Sequence, residues 1–312
     1  MKDVSVIVVS FNTKELLAGC IGSIKKHTKG VDYEIIVVDN ASEDESAEFL
    51  KKENGVKTIF NRNNLGFAAA NNQGMKKATG RYVLLLNSDT KLKEDSLAKM
   101  VQWMDEHLKV GIATCKLLNP DGSVQATGGS FPTLARIFLW STFIDDLPLV
   151  ADFLGSYHPH TPQFLGSSFY SNSHPQDWVT GAFFLFRREL VNKVGYLDEE
   201  FFMYVEEVDF CFRTKKMGGD IWYVPQTAVL HLGGRSEGSR GIFTGEGLAR
   251  EGAILGEFKG LRRFYRKHYP LWQYPLLVVF LKLAAFLRIF LFGILGRQKQ
   301  AWRIYGKALA IS

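Results

Sequence analysis

Leu84-Leu85-Leu86-Asn87-Ser88-Asp89 is an apolar run of strand length that ends abruptly in Asn-Ser-Asp, with Asp89 presented where a buried strand would emerge. In open α/β sheets ligands gather at the carboxyl ends of the strands, so a carboxylate there can meet a metal ion and a diphosphate. Two further stretches give it meaning. Glu34-Ile35-Ile36-Val37-Val38 is a similar run ending in Asp39-Asn40, and Val205-Glu206-Glu207-Val208-Asp209 packs three carboxylates into five residues upstream of an isolated His231.

Outward from that stretch, strand-length apolar runs alternate with helical patterns. Strands are expected over 4–9, 34–38, 56–60 and 81–86, and helices over 14–26, 43–52 and 66–78. This alternation predicts βαβ units and a mainly parallel, doubly wound α/β sheet. A dinucleotide-binding fold is excluded where it should be most visible, because Ser10-Phe11-Asn12-Thr13 follows the first strand in place of GxGxxG. No P-loop occurs, and Asp39 alone would suit a ribose in either fold. Further along, Asn119-Pro120-Asp121-Gly122 predicts a hairpin between Leu117-Leu118 and Val124-Gln125. Residues 131–177 lack clear periodicity and read as an acceptor-facing insertion. A strand over 178–186, helices over 188–194 and 206–216, and a strand over 227–230 follow. Gly233 to Gly247 then holds six glycines, the composition of a lid or a disordered loop.

The chain has 312 residues and 46% hydrophobic content, ordinary for a soluble α/β domain with or without appendages. Its net charge of +6 is unevenly spread: residues 259–312 contain eleven Lys or Arg and no Asp or Glu, so the rest is net acidic at −5. A basic tail on an acidic body points to an anionic surface met by the tail alone. Cys20, Cys115 and Cys211 form no CxxC pair, which supports neither a disulfide framework nor a zinc site and suits a reducing compartment. The N-terminus opens directly on a strand pattern without the features of a secretory signal, so a cytoplasmic body is expected.

Read together, Val6-Ile7-Val8-Val9-Ser10-Phe11-Asn12, Val37-Val38-Asp39-Asn40-Ala41-Ser42, Asn63-Asn64-Leu65-Gly66-Phe67-Ala68, Asn87-Ser88-Asp89, Trp178-Val179-Thr180-Gly181-Ala182 and Glu206-Glu207-Val208-Asp209-Phe210-Cys211-Phe212-Arg213 resemble, in order, the motifs of family 2 glycosyltransferases. The likeness is greatest to the rhamnosyltransferase-type branch and covers roughly residues 3–250. It implies a GT-A fold and an inverting, metal-dependent sugar transfer from a nucleotide-sugar donor. The donor-binding set it implies is Ser10, Asn12, Asp39, Asn64, Gly66, Asn87, Ser88, Asp89 and Gly181, with Arg235 or Arg240 of the glycine-rich stretch able to close over a diphosphate. Asp89 and His231 become ligands for Mn2+ or Mg2+. The family's Asp-x-Asp is here Asn87-Ser88-Asp89, which lacks the first carboxylate.

Glu207 takes the position of the general base, one methylene longer than the usual Asp, and Glu206 that of a neighbour binding acceptor hydroxyls. A carboxylate whose proton affinity is raised by burial or a like charge suits such a base. Plainer readings stand beside these. Asp89 could cap a helix starting near Glu94, His231 could be structural, and Asn63-Asn64-Leu65-Gly66 could be an ordinary loop. Trp178 could stack on an acceptor sugar or belong to the core. Asp209 and Arg213, four apart, suit a structural ion pair.

The tail, residues 258–312 beside a catalytic domain at 1–257, carries the apolar stretch 274–295. Its fifteen Leu, Ile, Val and Phe residues favour insertion by about 7 kcal/mol, while Lys282 and Arg288 oppose it by about 5 to 7. Four cations on each side give no positive-inside asymmetry. An in-plane or re-entrant helix on the cytoplasmic face of an anionic membrane is therefore favoured over a span or an oligomerisation helix. Nucleic acid is not an expected partner, since a long apolar core separates the basic clusters. The expected activity is transfer of rhamnose from a dTDP donor to a lipid-linked saccharide in cell-surface polysaccharide synthesis. A UDP-hexose-dependent transferase and a non-catalytic nucleotide-sugar-binding scaffold are the alternatives.

Overall fold

Alternation within the apolar runs divides them between two cores. In β1 (Val4–Ser10), Val4, Val6 and Val8 face one side of the sheet and Ile7 the other; in β2 (Tyr33–Asp39), Ile35 and Val37 oppose Ile36. Side chains of a strand point alternately to opposite faces, so strands buried on both sides need helices on both. The computed structural model describes residues 2–147, 150, 153–158, 166–233 and 251–312. After β1, the chain forms α1 (Lys14–His27), β2, α2 (Ser46–Lys52), β3 (Val56–Phe60), α3 (Phe67–Lys77), β4 (Tyr82–Asn87), β5 (Thr90–Leu92), α4 (Ser96–Glu106), β6 (Val110–Leu118) and β7 (Val124–Gln125). Then come α5 (Leu134–Ser141), β8 (His174–Pro175), β9 (Phe183–Arg187), α6 (Leu190–Val194), α7 (Glu206–Lys216), β10 (Asp220–His231), α8 (Glu251–His268), α9 (Gln273–Arg288) and α10 (Lys299–Ile311).

The main sheet runs β3-β2-β1-β4-β9-β6-β10-β5. β3, β2, β1 and β4 are parallel, as the βαβ pattern predicts, but β9 inserts antiparallel to both β4 and β6, and β5 is antiparallel to β10. The second half of the sheet is thus mixed rather than parallel.

Some boundaries differ from the sequence expectation for local reasons. The helix expected over 43–52 starts at Ser46, because Glu45 sits at φ +64° and the Ser46 amide and hydroxyl donate to Asp44 Oδ1. The strand expected over 178–186 starts at Phe183: Trp178 only bridges Gly129, and Gly181-Ala182 turns the chain. β10 begins at Asp220, seven residues before the expected start, and skips pairing with β6 between Val224 and Ala228, where Pro225 has no amide proton to give. The expected hairpin forms, pairing Leu117 with Gln125 and Leu118 with Val124.

The tail is packed, not trailing. α8 runs without a break through residues 257 and 258, and buries Ile254, Phe258, Leu261, Phe264 and Tyr265 in the same apolar cluster as Ile7 and Ile36. α9 continues as a π-helical segment, Ile289–Leu295, and packs on α5, α8 and α10. Arg288 turns inward, its guanidinium 4.7 Å from the Trp140 ring and 4.3 Å from the Phe143 ring, with Nη2 donating to the Trp140 carbonyl.

Candidate active site

β4 ends at Asn87, and the turn Ser88-Asp89 leads directly into β5. β5 pairs antiparallel with β10 in a register that sets Thr90 against His231, and the Leu232 amide donates to the Asp89 carbonyl. That topology brings residues 142 positions apart in sequence together: His231 Nε2 lies 3.3 Å from Asp89 Oδ1 and 3.4 Å from Asn87 Nδ2. Gln125 of the β6–β7 hairpin completes the arrangement. Its Nε2 donates to Asn119 Oδ1, so its Oε1 faces His231 Nδ1 at 2.6 Å and accepts a hydrogen bond from it. With the proton held on Nδ1, Nε2 presents its lone pair towards the Asp89 carboxylate.

Two electron-pair donors facing each other fit a cation between or before them. Bonds of about 2.1 Å put neighbouring donors of one ion about 3 Å apart, close to the Asp89–His231 separation. The Gln125 contact is the outer bond that a metal-binding imidazole characteristically makes. Among the described residues no three His, Cys, Asp or Glu side chains gather in this way. The donor set is poor in protein carboxylate, so diphosphate oxygens and water would have to complete it.

A cleft of about 510 Å³ opens here, and Asn64, Gly66, Asn87, Ser88, Asp89, Trp178, Gly181, Glu206, Glu207 and His231 all line it. Ser10, Asn12 and Asp39 do not line it but flank it through their neighbours Val9, Phe11 and Asn40. Ser10 Oγ, Thr13 Oγ1 and Ser88 Oγ form a buried hydroxyl chain with links of 3.0 and 3.1 Å that ties the end of β1 to that of β4. Asn12 pins two loops, its side chain accepting from the Glu43 amide. Asp39 is 2% exposed; Oδ2 accepts from the Ser42 amide, and Oδ1 is buried without a partner among the described residues, an acceptor open to a donor group. Asn64 Oδ1 accepts from Asn40 Nδ2 and the Gly66 amide. Gly66, at φ +84°, is required by the protein's own packing: a Cβ there would strike the Phe202 carbonyl, which accepts from the Phe67 amide. Trp178 is 6% exposed and donates from Nε1 to the Ser130 carbonyl, which fixes its ring in the wall of the cleft. Arg235, Arg240 and nearly all of the glycine-rich stretch lie outside the described residues.

α7 begins at Glu206, and the two residues before it, Tyr204 and Val205, hold φ of +75° and +74°. For a β-branched residue this conformation is strained, at a cost of order 1–3 kcal/mol. It turns Glu206 and Glu207 into the cleft. Glu206 is buried and Glu207 partly exposed, and each has an Oε2 without a hydrogen-bond partner among the described residues. Burial and the charge of Glu207 push the Glu206 carboxyl well above the carboxylate range, while burial pushes Glu207 up to about 7. A hydrogen bond between them favours the proton on Glu206. Glu207 is thus the member of the pair that combines access to the cleft with readiness to take a proton near neutrality.

Asp209 points the other way. Arg213 Nε reaches it at 2.8 Å, as the spacing predicts, and His268 Nε2 and Lys267 Nζ of α8 reach it at 2.6 and 2.8 Å. Burial alone would raise its pKa, but the His268 bond and the two cations pull it down to about 2. Sequence reading missed Gln125, Tyr157, His158 and Glu257, which also line the cleft. Only the Asn-Pro-Asp-Gly turn signalled where Gln125 would be; the others come from segments without a motif.

The fold and this cleft define a glycosyltransferase with a GT-A-like sheet. The chain belongs to glycosyl transferase family 2, whose description matches residues 5–195. It is 24% identical over 235 residues to the low-salt glycan biosynthesis hexosyltransferase Agl10 of Haloferax volcanii, covering 74% of this chain and 67% of that protein. It is 25% identical over 219 residues to the N-acetylglucosaminyl-diphospho-decaprenol L-rhamnosyltransferase of Mycobacterium tuberculosis, covering 65% and 68%. The mannosyltransferase PcManGT from Pyrobaculum calidifontis, solved in complex with GDP-Man and Mn2+, superposes with a TM-score of 0.55 at 16% identity, covering 99% of this chain and 76% of that one. At that identity the likeness is one of fold.

Proposed function

We propose that this enzyme is an inverting, metal-dependent rhamnosyltransferase that moves rhamnose from dTDP-rhamnose to a lipid-linked saccharide in cell-surface polysaccharide synthesis. The observation that carries the reading is that one cleft holds the Glu206–Glu207 pair and the Asp89–His231 pair. Asp39, Ser10 and Asn12 are assigned to the nucleoside end, Asn64, Gly66, Asn87, Ser88 and Gly181 to the rest of the donor, and Trp178 and Glu206 to the acceptor. Asp89 and His231 would hold a divalent cation, Mn2+ or Mg2+, which when bound neutralises the departing diphosphate. The cation in the PcManGT complex supports this choice of cofactor.

In the transfer, Glu207 takes the proton of the acceptor hydroxyl. That oxygen bonds to the anomeric carbon on the face opposite the diphosphate, and the anomeric carbon–oxygen bond to the diphosphate breaks with its electron pair leaving on the nucleoside diphosphate. Glu206, holding its proton, keeps the pair from carrying two charges and so keeps Glu207 available as acceptor. Rhamnose and the lipid-linked acceptor are supported by the name of the mycobacterial relative. The name of the Haloferax relative, a hexosyltransferase, favours a second reading, transfer of a different hexose, for which a UDP-hexose would be the donor.

Residues 1–257 are assigned to substrate binding and residues 258–312 to contact with the cytoplasmic face of the membrane. Gln273–Leu295 is long and apolar enough to cross a bilayer, with mean hydropathy 2.4, yet 39% of that window is buried against the protein and Arg288 is committed inward. Both facts support a helix lying in the interface. The test is a panel of dTDP-, UDP- and GDP-sugars, with and without Mn2+, on N-acetylglucosaminyl decyl diphosphate. Rhamnosylated product of inverted anomeric configuration from dTDP-rhamnose alone is expected; turnover of UDP-hexoses instead would replace the donor assignment.

A further inference from the structure

The cleft contains a fourth carboxylate that neither motif nor mechanism has used. Glu257 lies on α8, the helix that leads into the tail, and lines the same cleft as Glu207. His158, from the 153–158 segment, approaches it with Nε2 at 2.9 Å from Oε1, and Tyr157 also hydrogen-bonds it. The helix is clamped in place. Gly256 and Gly260 lie so close to the strained turn before α7 that a Cβ on Gly256 would come within 2.9 Å of the Met203 carbonyl, and one on Gly260 within 2.7 Å of Val205 Cγ2. Glu257 therefore moves as one body with the turn that aims Glu206 and Glu207.

A fixed carboxylate repels a diphosphate and attracts hydroxyl donors. Its neighbours, Glu207 and Tyr157, are at the proton-accepting end of the cleft, whereas Asp89 is met by His231 and Asn87. We infer that Glu257, oriented by His158 and Tyr157, is an acceptor-binding residue that receives a hydrogen bond from an acceptor-sugar hydroxyl other than the one that reacts. Carbohydrate hydroxyls are held best by charged acceptors, and removing such a contact typically costs tenfold or more in binding. The inference rests on the glycosyl-transfer reading and adds a residue to its acceptor side.

Because Glu257 also faces the base, it carries a second signature. Among the described residues, the titratable groups around Glu207 are Glu206 and Cys211 on its own helix, Glu257 on α8 and Tyr157 from the loop; Arg288 and Tyr305 of the tail in turn face Glu257. The Glu257 charge raises the proton affinity of Glu207, so its removal lowers the pH at which the base becomes active.

Glu257→Gln keeps the shape of the side chain and removes the charge. In the full-length protein, with dTDP-rhamnose and N-acetylglucosaminyl decyl diphosphate as probes, acceptor KM should rise about tenfold or more while donor Kd, by calorimetry, stays within twofold. The acid limb of kcat should shift to lower pH. Unchanged acceptor KM would overturn the inference, and so would an equal loss of donor affinity, which would put Glu257 at the donor end. His158→Asn, leaving Glu257 in place, is expected to raise acceptor KM about threefold and keeps the question decidable if E257Q does not fold. Wild-type protein that binds none of the nucleotide sugars would instead overturn the glycosyl-transfer reading itself, whereas wild-type binding with an indifferent E257Q sinks only the role of Glu257.

Discussion

Glu206 and Glu207 are adjacent carboxylates of one cleft, and environment separates them: burial of Glu206 favours its protonated form, while Glu207, the proposed base, is the more exposed of the two. A base works in its deprotonated form, so activity should climb tenfold per pH unit below about 7 and level off above it. Glu207→Gln preserves shape and donor affinity and should lower kcat by about 10²–10⁴-fold, measured at saturating acceptor. Turnover within threefold of wild type would transfer the role to Glu206. The cation site invites a test away from its ligands. Gln125→Ala frees His231 Nδ1, and a lost outer-shell bond of this kind typically weakens metal affinity about 10–100-fold. Calorimetric titration of Mn2+ in the presence of dTDP-rhamnose should read that loss, whereas an unchanged titration would mean that His231 does not bind the ion.

Among the elements, α8 bears most on the site. It supplies Lys267 and His268 to Asp209 of α7 and sets Gly256 and Gly260 against Met203, Tyr204 and Val205. Gly260→Ala forces a methyl into that contact, where overpacking commonly costs about 1–3 kcal/mol. The expected result is a lower Tm and, because the displaced turn aims Glu207, a fall in kcat of at least tenfold with donor Kd little changed. A drop in Tm with kcat intact would show that the turn tolerates the shift. The β4–β5 connection is the other decisive element, since without the reversal into β5 neither Asp89 nor Asn87 would meet His231.

Over the whole molecule, the tail is both structure and surface. Its inner side buries Leu261, Phe264, Leu277, Leu281 and Ala284, so cutting the chain at residue 258 would remove core and the His268–Asp209 bond along with any anchor. Its outer side exposes Leu276, Val279, Phe286 and Phe290 at helical spacing around Lys282. Replacing those four by Ser should leave Tm within a few degrees and reduce sedimentation with anionic vesicles at least tenfold. Full vesicle binding by that variant would place the membrane contact elsewhere. A C-terminal tag should be cleaved by protease from only the side on which the body sits; protection there would mean that the helix spans.

The sequence by itself determined the layers of the fold and singled out the candidate reacting groups. Period-two apolar runs between helical patterns specify strands buried on both faces, and Asn87-Ser88-Asp89 and Glu206-Glu207 carry their chemistry in residue type. These are local properties, legible without knowing what lies across the cleft. Tertiary structure alone decided the antiparallel insertion of β9, the meeting of Asp89 with His231, the Gln125 contact, the clamp on the α7 turn and the arrival of Glu257, Tyr157 and His158. Each depends on pairing or packing between segments distant in the chain, and a hydrogen bond across such a distance leaves no period in either segment. Arg288 makes the same point. Counted along the chain it is a charge in an apolar stretch, but in the fold it is a cation enclosed by Trp140 and Phe143, and only the packing of α9 on α5 reveals which.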